Sequence, residues 1–214
     1  CQESYLRQEV TILNQSGVYN FDFRKQTNSV AQTVEPQMQL LGNNDVFIAT
    51  HIGLYVYEAN STTVGYVRGG LQAYINPLYY TTTAGFTKDH LQQVYQGRLR
   101  FRVANIDALE ALDMGLFEER EITQGFEVAG AVDADKTGSK KSEDGLRDLA
   151  TFAVMDGSQD NLWIADMPTF NGILWQNTGA NLQNRLVLKM HGILVKGGSR
   201  YFEQIKNAVS MVAN

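Results

Sequence analysis

Val46-Phe47-Ile48-Ala49-Thr50-His51-Ile52-Gly53-Leu54-Tyr55-Val56 is the stretch on which the reading of this chain turns. Its even positions hold Val46, Ile48, Thr50, Ile52, Leu54 and Val56, and its odd positions Phe47, Ala49, His51, Gly53 and Tyr55. Side chains alternate across a strand, so this period of two predicts one long strand with a wholly apolar face. The other face is aromatic and largely uncharged, which predicts either a central strand covered on both sides or an assembly contact. Phe47, Tyr55 and Tyr57 are the interface candidates on that second reading.

Outward from this stretch, the same alternation predicts strands over 5–13, 18–23, 64–75 with a break at Gly69 and Gly70, 78–83, 149–155, 161–165, 172–176 and 185–195. In the last of these Leu186, Leu188, Met190 and Leu194 point one way, interrupted by Gly192. Over 98–103 Leu99, Phe101 and Val103 take one face and Arg98, Arg100 and Arg102 the other. Three segments read as helices instead. Thr87 caps one that runs to Gln96 and stops at Gly97, and Asn105 caps a second carrying Ile106, Leu109 and Leu112 at a spacing of three. After Ser199, Phe202, Ile205, Val209 and Val212 form the stripe of an amphipathic C-terminal helix. That stripe docks on its own sheet in the preferred reading and on a neighbouring subunit in the other.

The fold class expected is therefore mainly β, a single β-sandwich or jelly-roll-like domain over 1–214 with about three short helices. A charged run at 133–145 reads as an exposed loop.

The 214 residues are 43% hydrophobic but only 19% charged, with Asn, Gln, Thr and Gly in place of the missing charge. A surface poor in Lys and Glu is less costly to desolvate against another protein, which favours a chain that lives in contact. The net charge of −5 argues against a nucleic-acid coat, so any such role is local. No apolar run is long enough to span a bilayer as a helix. Cys1 is the only cysteine, which excludes an internal disulfide and any multi-thiolate metal site. It reads either as the lipidated residue of a bacterial lipoprotein or as an ordinary processed or ordered-region start.

Candidate chemistry is sparse. His51, His90 and His191 are not at metal-ligand spacing from one another or from Cys1, and His51 and His191 each fall mid-strand, where a hydrogen-bonded structural role is expected. The chain has no nucleophile elbow and no phosphate-binding glycine loop, and Gly197-Gly198-Ser199 reads as a strand-to-helix turn. Asp133, Asp135, Thr137 and Gly138 imitate the start of a calcium loop, but Lys141 and Asp144 stand where ligands are required. Glu118, Glu119 and Glu121 offer carboxylates for a glycan-acting enzyme, the third functional reading, but a solvated edge explains them as well. Arg98, Arg100 and Arg102 are candidates for contact with an anion or an acidic partner. Their preferred explanation is pairing within the sheet, with residues such as those from Glu118 to Glu121.

The long strand from Asn44 to Leu54, the middle rich in Tyr, Thr and Asn, and the late run Asn184-Arg185-Leu186-Val187-Leu188-Lys189-Met190-His191-Gly192-Ile193 resemble β-barrel coat proteins of bacterial viruses. The resemblance implies a jelly-roll-like subunit, repeated with symmetry in a virion, and no cofactor. The leading expectation is a structural subunit of a homo-oligomeric particle, with copies of itself and other virion proteins as partners. The alternative is a surface-anchored module that binds glycan or protein.

Overall fold

The computed structural model describes residues 1–12, 16–24, 38–60, 71, 93–103, 106–118, 145–168 and 182–212. Eight strands are found there: β1 (Gln2–Thr11), β2 (Val18–Asp22), β3 (Val46–Asn60), β4 (Arg98–Val103), β5 (Ile106–Asp113), β6 (Arg147–Asp156), β7 (Asn161–Asp166) and β8 (Leu182–Val195). They form two four-stranded antiparallel sheets, ordered β1-β8-β3-β6 and β2-β7-β4-β5. One α-helix, α1 (Phe202–Val212), follows β8.

The pairing is nested. β1 pairs with β8, β2 with β7, β3 with β6 and β4 with β5, as in one long hairpin. Two further pairings, β3 with β8 and β4 with β7, roll that hairpin up and divide it between two sheets. The inward residues of both sheets then meet in a single buried cluster that includes Leu6, Phe21, Phe47, Leu54, Phe101, Trp163, Leu186 and Met190. Burial of these apolar side chains is the main favourable term holding the sheets together.

The alternation expected of β3 holds in type but not in phase. Ala49 lies opposite Gly192 and His51 opposite His191, so β3 spends two residues where β8 spends one. Thr50 is the extra residue of a β-bulge, and it moves every later side chain to the other parity. The main core consequently takes Phe47 and Ala49 before the bulge but Ile52, Leu54 and Val56 after it. Tyr55 and Tyr57 turn to the outer face, where they are buried with Val187 and Leu71. From Leu54 to Tyr57 this strand is covered on both sides within its own chain.

Two of the expected helices change. The segment carrying Ile106, Leu109 and Leu112 is strand β5, not a helix. Leu99, Phe101 and Val103 of β4 oppose Leu112, Leu109 and Ile106, so each step of two on β4 meets a step of three on β5. Two bulges thus generate the spacing that imitates a helix, and Leu109 and Leu112 still pack against the core. Of the segment expected to be helical from Thr87 to Gln96, the described part is a single 3₁₀ turn, Gln93–Gln96. The C-terminal helix is present, entered through Gly197 at φ 65, a left-handed conformation that suits glycine. Ser199 anchors its start, its hydroxyl donating to buried Asp156 at 2.6 Å. The expected strands at 64–75, 78–83 and 172–176 lie outside the described residues, apart from Leu71, and so does the loop at 133–145 apart from Gly145.

Candidate functional site

Register places four side chains in one row across the outer face of the first sheet. Tyr5 of β1 lies opposite His191 of β8, His191 opposite His51 of β3, and His51 opposite Asp148 of β6. Residues directly opposite on antiparallel strands share a face and lie within side-chain reach. Two histidines 140 positions apart in sequence are thereby neighbours, beside a carboxylate and a phenol.

The bulge organises the row. The Thr50 Oγ is 2.8 Å from His51 Nδ1, and His51 Nε2 is 2.8 Å from Asp148 Oδ1. The same hydroxyl lies 3.2 Å from the carbonyl oxygen of His191 and can donate to it. A hydroxyl has one proton. With neutral His51 protonated on Nε2 toward Asp148, Nδ1 accepts that proton's hydrogen bond; with His51 protonated on both nitrogens, Nδ1 donates and the hydroxyl turns to the His191 carbonyl. The arrangement ties β8, β3 and β6 together through one hydroxyl, one imidazole and one carboxylate. It sits in the open, beside a shallow depression of about 840 Å³ bordered by Cys1, Glu3, Leu146 and Ile193. The side chains of His51 and Asp148 are 47% and 88% exposed, so solvent competes for both. The ring of Tyr5 stands 6.2 Å from that of His191, with Lys189 Nζ 5.8 Å from the phenol ring. Both nitrogens of His51 are engaged, and among the described residues no three His, Cys, Asp or Glu side chains gather as a metal site.

A second polar cluster lies further along the same face and is buried. The carboxylate of Glu9 accepts from Arg7 at 2.5 Å, from Arg185 at 3.3 Å and from the Tyr57 hydroxyl. Burial, then the hydrogen bond to Glu9, pushes the Tyr57 phenol far above the usual tyrosine range. The cluster joins β1, β3 and β8 below Leu71.

The arginine stripe is answered within its own sheet. Asp166 of β7 accepts from Arg98 at 3.2 Å and from Arg100 at 2.7 and 3.2 Å, the latter a two-pronged contact. Asp107 of β5 accepts from Arg102 at 2.8 Å and stands 3.9 Å from Arg100. The hydrogen bond to Asp166 raises the Arg100 guanidinium further, and the one from Arg102 lowers the Asp107 carboxyl. The stripe pairs with Asp166 and Asp107, and of the acidic run at 118–121 only Glu118 is described.

The interface candidates divide in the same way. Phe47, Tyr55 and Tyr57 are no more than 1% exposed, filling the chain's own interior, so they are not available as a contact surface. Phe202 is buried, and Ile205 and Val209 are half-buried on α1, which packs against β6. The helix docks on its own sheet, and the side chain of Val212 lies outside the described residues. Sequence reasoning missed Asp148, Glu9, Asp107 and Asp166. Each finds a partner through cross-strand register, and Glu9 also takes Arg7 from two positions away on its own strand.

No protein-family description matches the chain, and neither a curated protein nor a solved structure is similar to it. No helix of the described residues is long and apolar enough to cross a membrane.

Proposed function

We propose that the chain is a jelly-roll structural subunit of a homo-oligomeric shell, a virion coat or a related virion part. The observation that carries this reading is the strand order β1-β8-β3-β6 and β2-β7-β4-β5. Eight strands in two antiparallel sheets, paired as one nested hairpin, support a doubly keyed arrangement of the kind used by viral capsid and lectin domains. The middle of that arrangement is occupied by Phe21, Phe47, Phe101, Phe117 and Trp163, which favours a building block over a barrel with a central reaction chamber. Apolar side chains left at the surface, among them Tyr5, Val18, Ile106, Leu116, Ile193 and Tyr201, are spread over several edges and faces. A subunit that meets neighbours on more than one side has use for such a distribution.

Size-exclusion chromatography with light scattering, followed by negative-stain microscopy of the concentrated protein, tests the proposal. Closed rings, shells or a defined oligomer are expected. A chain that stays monomeric at millimolar concentration and recruits no virion protein overturns it.

A further inference from the structure

We propose that a cavity beneath α1 binds a neutral, apolar small molecule. Among the described residues the two sheets end at β5 and β6 on this side, and no pairing joins those edges. The gap between them leaves a space of about 420 Å³. Phe101 and Trp163 form its floor, their rings stacked at 4.6 Å and 21°. Leu109 of β5 and Leu149 of β6 form opposing walls, and Phe202 and Val209 of α1 the roof.

Three observations bear on the occupant. The volume falls within the range of roughly 300–1,000 Å³ typical of small-molecule pockets, and the lining is mostly apolar. The uncharged polar side chains on its walls are few, Thr151, Gln159 and Ser210, against a majority of apolar ones. The charged groups at the rim are Glu203 and Lys206, one of each sign, so neither an anion nor a cation is favoured. The indole N–H of Trp163 is buried with no hydrogen-bond acceptor among the described residues. Backbone ladders fix β4, β5, β6 and β7, so the walls cannot simply collapse inward to fill the space. An uncharged hydrocarbon-like molecule, ring or short chain, matches the size, the polarity and the neutral rim.

The full chain titrated with the neutral fluorescent dye N-phenyl-1-naphthylamine tests this. Saturable binding of one dye per chain at micromolar concentration is expected, with movement of the Trp163 indole N–H resonance, assigned through Trp163→Phe. Val209→Trp fills the cavity from the helix and Ala108→Trp from β5, and each should weaken binding at least tenfold while circular dichroism stays unchanged. If one variant fails to fold, the other decides. Absence of saturable binding, an unmoved Trp163 resonance, equal affinity in a folded filling variant, or one dye per two chains overturns the proposal. Equal or tighter binding of an anionic naphthalene sulfonate also overturns it, because a neutral ligand would then not be selected.

Discussion

Gly192 presses its bare Cα against the backbone of Ile48, so closely that a Cβ would stand 1.9 Å from the Ile48 carbonyl oxygen. The contact lies beside the bulge at Thr50, where β3 and β8 change register. Gly192→Ala therefore forces two central strands apart. It should cost about 1–3 kcal/mol, the range for overpacking, in urea denaturation. An unchanged midpoint would show that the strands are free to separate there.

Glu9 pairs with both Arg7 and Arg185 in the buried cluster. Glu9→Gln takes a negative charge out of that buried network, a loss of about 3–5 kcal/mol by the usual penalty for halving a buried pair. Glu9→Gln combined with Arg185→Met should recover part of that loss. Equal stability of wild type and single variant would contradict the burial of the network.

Tyr57 makes a pH prediction. Its phenol holds its proton more tightly folded than unfolded, through burial first and the Glu9 hydrogen bond second. The native state then binds more protons at alkaline pH, so stability is intact below the unfolded tyrosine value of about 10 and falls as pH rises beyond it. Urea midpoints of wild type should drop more steeply between pH 10 and 12 than those of Tyr57→Phe. Parallel curves would remove the argument.

Asp166 neutralises Arg98 and Arg100 across β7 and β4. Asp166→Asn should lower thermal stability and, more tellingly, create salt-sensitive retention on a heparin column, because two guanidiniums lose their carboxylate. Wild type should pass through at the same ionic strength. Strong retention of wild type would instead make the stripe an anion-binding surface in its own right.

Leu109 and Leu112 pack against the core from β5, whereas Ile106 is 73% exposed. Leu109→Ala should destabilise by about 1–2 kcal/mol, and Ile106→Ser should stay within about 0.5 kcal/mol. Comparable losses from both positions would fit a helix with one buried stripe rather than the twice-bulged strand.

Much of the sheet content was legible because alternation is a local property. The inward faces of β4 and β8, with Leu99, Phe101 and Val103 in one and Leu186, Leu188 and Met190 in the other, follow directly from a period of two. Local spacing misled at β5, where two inserted residues turned a period of two into one of three. Pairing partners were not legible for a related reason. Asp166 and Arg98 are 68 residues apart, and their contact exists only through the register of β7 on β4.

By itself, the order of residues determined that this polymer makes sheets with apolar faces, ends in an amphipathic helix and lacks local motifs of known catalysis. Those properties depend on near neighbours along the chain, whose side chains take fixed directions once the backbone is extended or coiled. Only the tertiary structure decided that Tyr55 and Tyr57 are buried on the outer face of their sheet, that His51 meets His191 and Asp148, and that a cavity remains below α1. One added residue at Thr50 reverses the facing of all that follows, and strand order sets which distant groups touch. Both are settled by the packing of whole sheets, where many weak contacts are satisfied together.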